Sequence, residues 1–292
     1  MERSAEPPAP FVVGAGRSGT TLLRLMLDAH PELAIPPETR FLPLALHAAE
    51  DADDDPGGAF VDAVTTYPHW GDFHVDDALL RTRIAAIAPF DAGAALRTMY
   101  RLYADRFGKP RWGDKTPHHV RRMDVIARLL PEARFVHIIR DGRDVTLSVI
   151  QERSLTGRAA TADEVARRWA RSIAAARRQA MELPHYLEVR YEDLVLDTVA
   201  VLRAVCDFVE LPWRERMLAY HERSATRLAE LVTADPGKAG SAEQRRSKHA
   251  WTARPPDASR IGRWRSELAA GDARLVAAAA GDMLRALGYD TE

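Results

Sequence analysis

Cysteine is all but absent from this chain. Cys206 is the single one in 292 residues, which excludes an internal disulfide. It falls in the series Val199, Leu202, Val205, Cys206 and Val209, whose helical spacing reads as a buried core thiol. No group of Cys and His has metal-ligand spacing. No apolar run reaches the roughly 18 residues of a membrane span. The N-terminal stretch "MERSAEPPAP" is polar and Pro-rich, without the apolar core of a signal peptide, so a soluble cytoplasmic protein is the expectation. A basic excess is missing as well. Lys and Arg number 41 against 42 Asp and Glu, for a formal net charge of −1. That balance argues against general binding to nucleic acid or a membrane surface, so an anionic ligand has to be met by a few placed cations. There is no internal repeat and no long low-complexity tract.

What is present is a chain that is 46% hydrophobic and 28% charged. A chain of this size buries roughly three quarters of its unfolded surface, enough for one large domain. The first strand is Phe11–Val13, followed by a Gly-rich turn and a helix carrying Leu22, Leu23, Leu25, Met26 and Leu27 up to Pro31. A short apolar piece, Leu33–Ile35, ends at "PPETRF". "EDADDDPGG" (Glu50–Gly58) reads as a solvated linker. Residues 76–107 read as two helices with aromatics at Tyr100, Tyr103 and Phe107. "PRWGDKTPHHV" reads as a polar loop, with a helix after it to Leu130. "RFVHIIR" (Arg134–Arg140) is the clearest internal strand and runs straight into a helix start. A long helix over Ala162–Met181, a strand ending near Arg190, a helix to Val209, a Gly/Pro/basic loop from Thr233 to Ser259 and a last helix over Ala273–Leu287 complete the series.

Strands alternating with helices predict an α/β fold: one domain over residues 1–292, a central parallel sheet flanked by helices, a helical insertion over about 55–108 and a lid loop over about 233–259. Ligands in such folds bind at the carboxyl ends of the strands. The polar stretches after Val13, Ile139 and Val189 lie at such ends.

"FVVGAGRSGTTLL" (Phe11–Leu23) has the glycine spacing of a phosphate-binding loop, but Thr20 stands where nucleotide-triphosphatase loops carry Lys. The basic residue is inside the loop, at Arg17. A Gly-rich turn between strand and helix presents backbone N–H groups at the positive end of the helix dipole, a cradle for an anion. Ser18, Gly19, Thr20 and Thr21 add amides and hydroxyls, and Arg17 adds a forked cation. The bland alternative is an ordinary strand–turn–helix joint. At the second joint, Arg140 leaves the strand end and Ser148 follows about two helical turns on. By itself Arg140-Asp141 could be a surface ion pair; beside the first cradle, Arg140 and Ser148 are candidates for a second phosphate.

"GAGRSGTTLLRLMLDAHPEL", "PETR" and "IIRDGRDVTLS" together resemble the sulfotransferases that use 3′-phosphoadenosine 5′-phosphosulfate (PAPS). Among these the tyrosylprotein sulfotransferases and their bacterial small-molecule relatives are the most similar. The resemblance covers most of the chain. It implies a P-loop-like sulfotransferase fold, with Arg17 to Thr21 on the 5′-phosphosulfate and Arg140 and Ser148 on the 3′-phosphate. It also implies a cofactor contact from Tyr191, and Ser247 and Arg263 near the nucleotide, with Ser247 and Arg17 catalytic candidates too. The missing Lys then has a physical reading. A transferring sulfuryl group carries less charge than a phosphoryl group, so Arg17 with backbone donors suffices and no metal is required.

Sulfuryl transfer needs a base for the acceptor hydroxyl and a cation on the departing oxygen. Lys115 of "WGDKTP" is the candidate cation, though a solvated loop lysine is its bland reading. Glu38 is the candidate base, and a helix cap the alternative. His118 and His119 are rivals, but Pro117 occupies the offset at which other sulfotransferases carry His. Tyrosylprotein enzymes have a further Arg where this chain has Glu152, with Arg153 beside it. The expected reaction is transfer of the sulfuryl group of PAPS to a hydroxyl of a small-molecule acceptor. Protein-tyrosine sulfation, a P-loop kinase using ATP and Mg²⁺, and a nucleotide-binding regulatory module are the alternatives. Trp70, Phe73, Tyr100 and Tyr103 are candidates for lining an acceptor cleft.

Overall fold

The apolar run before the first glycine forms strand β1 (Ala9–Gly14), buried at every residue. The computed structural model describes residues 6–155, 160–233, 242–247 and 249–290. Its other strands are β2 (Leu33–Ala34), β3 (Arg111–Trp112), β4 (Asp114–Lys115), β5 (Ala133–Ile139) and β6 (Tyr186–Arg190). The main sheet has the order β4-β1-β5-β6, and β2 pairs with β3 apart from it. Every pairing is parallel, with Val12 beside Lys115, Gly14 beside Ile138 and Ile139 beside Arg190. Parallel strands joined through helices have both faces covered, which is why β1 and β5 read as nearly continuous apolar runs.

Helix α1 (Thr20–Asp28) follows β1. Four helices, α2 (Leu42–Glu50), α3 (Pro56–Thr65), α4 (Asp77–Ala85) and α5 (Ala92–Asp105), fill the connection from β2 to β3. Then come α6 (Met123–Leu129), α7 (Gly142–Leu155), α8 (Ala162–Ala180), α9 (Tyr191–Leu196), α10 (Thr198–Phe208), α11 (His221–Ala229), α12 (Ala242–Ser247), α13 (Trp264–Glu267) and α14 (Ala270–Ala286).

The alternation of side chains along a strand sorts the core into layers. Phe11, Val13 and Phe135 face one side and pack with α2 to α5. Val12, Val136 and Ile138 face the other and pack with α1, α9 and α10, where Cys206 is buried as its spacing implied. A third cluster joins Ile139 to α7, α8 and α14 through Val145, Trp169 and Val276.

The structure departs from the sequence reading at four places. "WGDKTP" lies in a buried region: Asp114–Lys115 is the edge strand of the main sheet, and both residues are almost wholly buried. The acidic stretch ends sooner than expected, because Asp55 caps Gly58 N and Pro56, Gly57 and Gly58 form the first turn of α3. Trp70, Phe73, Tyr100 and Tyr103 belong to the core and do not line the cleft, with Tyr100 stacked on Trp112 at 4.6 Å. Within the expected lid, the described residues form helical turns at Ala242–Ser247, Ala250–Ala253 and Ala258–Arg260; Gly237, Lys238 and Gly240 lie outside the described residues. The span after Arg190 holds two helices, α9 and α10, where one was expected.

Candidate active site

All four strands of the main sheet deliver a candidate residue at their carboxyl ends. β1 ends in the Gly-rich loop, β4 in Lys115, β5 one residue short of Arg140 and β6 one residue short of Tyr191. They open on one cavity of about 790 Å³ whose lining includes Arg17, Gly19, Glu38, Lys115, Arg140 and Tyr191. That size suits an organic ligand.

The loop is shaped for an anion. Gly19 caps α1 with φ 95° and offers no side-chain oxygen to the helix N–H groups, and no acid stands in the first turn. The first turn of a helix has no intrahelical acceptors for its N–H groups, so these amides point at the cavity with the dipole behind them. Arg17 itself has φ 71°, a left-handed backbone that costs a non-glycine residue about 1–2 kcal/mol. A Cβ on Gly19 would come within 2.5 Å of the Tyr191 ring, so the loop packs directly on the residue after β6. Ser18 Oγ is buried with no hydrogen-bond partner among the described residues, and so is Arg140 Nε. Unpaired buried polar atoms are costly. Beside an open Gly-rich turn they mark a place that an anionic group fits.

Arg17 Nε donates to Ser148 Oγ at 3.0 Å and lies 3.7 Å from Glu152 Oε2, so the structure joins the two groups expected at opposite ends of the donor. Burial lowers the pKa of Arg17; Glu152 opposes this and Arg140 adds to it. The Arg140 guanidinium lies 4.4 Å over the Tyr191 ring, donates to Arg260 O at 2.6 Å and sits 3.6 Å from Asp144. Glu152 lines the cavity where an Arg was the family pattern, and Arg153 lines it too.

Lys115 and Glu38 meet at 2.7 Å, and Arg40 holds the other carboxylate oxygen at 2.5 Å. Burial would raise the Glu38 pKa, but Lys115 and Arg40 outweigh it and hold the carboxyl well below its usual range. Burial lowers the Lys115 pKa, with Glu38 opposing. Lys115 Nζ also lies 3.4 Å from Thr21 Oγ1, which ties the pair to the anion loop. A polar knot beneath fixes both backbones. Thr39 Oγ1 donates to Asp114 Oδ2 at 2.6 Å, Thr39 N to Thr116 Oγ1 at 2.8 Å, and Tyr100 Oη to Asp114 Oδ2 at 3.1 Å. His119 belongs to this knot, 2.8 Å from Thr39 Oγ1 and buried. His118 instead lines the cavity.

The C-terminal residues are placed differently from expectation. Ser247 is exposed and Arg263 turns to Glu267 at 2.7 Å; neither lines the cavity. Their neighbours Arg245, His249 and Arg260 do. Arg260 carried no motif; its approach follows from Asp144, which accepts from Gly262 N and Trp264 N and pins this segment on α7. Arg121 and Arg168 also line the cavity, and neither makes a hydrogen bond or ion pair among the described residues. Burial lowers the Arg168 pKa, with Arg153 and Arg121 adding to it. The even net charge of the chain concealed this local crowding of cations.

Residues 8–215 match the profile of the sulfotransferase family. The chain belongs to that family. Among curated relatives, a protein-tyrosine sulfotransferase of Drosophila melanogaster is 27% identical over 291 residues, covering 98% of this chain and 52% of the fly protein. Protein-tyrosine sulfotransferase 1 of Danio rerio is 26% identical over 290 residues, covering 97% of this chain and 72% of the fish protein. The chain thus spans about half the length of the first of these relatives. Among solved structures, the sulfotransferase domain of the Synechococcus PCC 7002 olefin synthase superposes with a TM-score of 0.60 at 22% identity, covering 99% of this chain and 98% of that one. The family fold is the one described above.

Proposed function

We propose that this protein moves the sulfuryl group of PAPS to a hydroxyl of a small acceptor, releasing adenosine 3′,5′-bisphosphate. The observation that carries the reading is the convergence of four strand ends on one cavity. There Arg17 of the anion loop and Lys115 line the cavity with Arg140, whose Nε, like the Oγ of Ser18 buried in the loop, has no hydrogen-bond partner among the described residues. When bound, the donor supplies an activated sulfuryl group on a mixed anhydride. The loop amides with Arg17, Thr20 and Thr21 would hold its 5′ end, and Arg140 with Ser148 its 3′-phosphate, Tyr191 closing the side. Lys115 is the cation for the departing oxygen, preorganised by burial. Glu38 is the proton acceptor for the attacking hydroxyl, oriented by Arg40.

Arg121 and Arg168 at the mouth favour an acceptor that also carries an anionic group. A peptide tyrosine is the second reading, favoured by what the fly and fish relatives are named for. Isothermal calorimetry tests the donor. Tight binding of adenosine 3′,5′-bisphosphate without magnesium, with ATP far weaker, is expected; the reverse preference would overturn the assignment. A screen with radiolabelled donor over anionic phenols, neutral phenols and Tyr peptides tests the acceptor, and labelling of peptides alone would favour the second reading.

A further inference from the structure

One residue that the sequence reading did not single out faces the cavity from within the expected lid loop. His249 precedes the turn Ala250–Ala253, which packs on α1 and α11. Its backbone is fixed on both sides: His249 N donates to Arg246 O at 2.9 Å, and its carbonyl accepts from Thr252 N at 2.9 Å and Thr252 Oγ1 at 2.6 Å. The half-buried imidazole lines the cavity and makes no hydrogen bond among the described residues.

The charged groups that act on this ring come from separate elements: Lys115 from β4, Arg17 from the loop after β1, Arg24 from α1 and Glu38 from the segment after β2. From the α11 side the cavity wall is Leu228, with Tyr220 just before it bonded to Arg254 O. Within its own segment Arg245 is turned to Asp72 at 2.8 Å. Three cations thus oppose one carboxylate that is already held by Lys115 and Arg40. Burial, with Lys115 and Arg17 next, keeps the imidazole neutral and its pKa near 3.

We propose that His249 takes up a proton when an adenosine 3′-phosphate 5′-phosphosulfate or its bisphosphate product occupies the cavity, and that the imidazolium is a further contact for that ligand's anionic groups. The inference rests on the donor reading above. Anionic groups set among Lys115, Arg17 and Arg24 reverse the sign of the local field, and an opposite charge within about 4–6 Å favours the protonated ring. The proton comes from solvent and joins the lone pair of an imidazole nitrogen; no bond of the ligand changes. Donor occupancy is thereby coupled to the position of the Ala250–Ala253 turn.

The test is calorimetric titration of adenosine 3′,5′-bisphosphate into the full chain and into His249→Gln near pH 7, in two buffers of different ionisation enthalpy. Wild type should take up more protons on binding than the variant, by up to about one per site. Its affinity advantage should grow as pH falls from about 8 to 6. Proton release by the ligand's own phosphates is common to both proteins and cancels in the difference. His249→Asn, which also cannot titrate, should repeat the result and guards against a folding defect in one variant. Tight binding with equal proton counts in all three proteins overturns the role of His249 alone. Failure of wild type to bind the bisphosphate overturns the donor reading as well.

Discussion

Lys115 Nζ at the end of β4 and Glu38 Oε1 in the segment after β2 stand 2.7 Å apart, both fixed by the Thr39–Asp114–Thr116 knot below them. In the proposed reaction the candidate base and the candidate leaving-group cation are thus paired before any acceptor hydroxyl arrives. Loss of a positioned base costs about two to four orders of magnitude in rate. Glu38→Gln should reduce kcat by that factor and leave bisphosphate affinity in calorimetry nearly unchanged. His118→Ala should cost little. An active Glu38→Gln with a dead His118→Ala would reassign the base.

Arg121 and Arg168 predict acceptor choice. Partly exposed ionic contacts are worth up to about 1 kcal/mol each. The double change Arg121→Gln, Arg168→Gln should raise KM for a carboxylated phenol about tenfold and leave kcat/KM for a neutral phenol nearly unchanged. Equal effects on both acceptors would count against a role in recognition.

His137 predicts acid sensitivity. It is fully buried on β5 with Nδ1 2.6 Å from Tyr186 Oη, and burial pulls its pKa down to about 4. The unfolded chain binds that proton near the ordinary value of about 6.5. Between those values the unfolded state holds more protons, so stability is full above about 6.5 and falls as pH drops towards 4, by about 3 kcal/mol in all. In urea titrations at pH 7.5 and pH 5, His137→Gln should lose less of its midpoint than wild type. Equal losses would remove His137 as the cause.

Asp72 predicts how the C-terminal segment is held. It is wholly buried, accepts from Val232 N, Thr233 N and Thr233 Oγ1 at 2.9 Å each, and pairs with Arg245 at 2.8 Å. Trypsin should cut at Arg245 or Arg246 more slowly when adenosine 3′,5′-bisphosphate is present. Asp72→Asn should speed the cutting with or without it. Rates indifferent to both would leave the segment outside ligand binding.

Much of the site was legible because its parts are local. A glycine turn, Arg17 and the two threonines lie in one stretch, and strand–helix alternation put Arg140 and Tyr191 at the same sheet edge. β4 was not legible, because Asp114 and Lys115 are polar residues buried by partners far along the chain, Thr39 and Glu38 among them. A strand of two residues also has no periodicity to read. Arg260 and His249 were missed for a related reason: their approach depends on Asp144 holding Gly262 and on a turn seated against α1, neither of which leaves a spacing signal. Tyr100 and Tyr103 were offered to a cleft that the α2 to α5 layer fills with its own core.

The contact between Gly19 and the Tyr191 ring bears on how the protein can be diversified. At 2.5 Å any added Cβ collides with a ring edge, and φ 95° already disfavours other residues. A saturation library at position 19 alone should therefore return glycine. Searches for altered donor preference gain more by varying position 191 first, since a smaller side chain there opens the floor under the loop while the loop keeps its shape. The two sites constitute one engineering variable, to be sampled jointly.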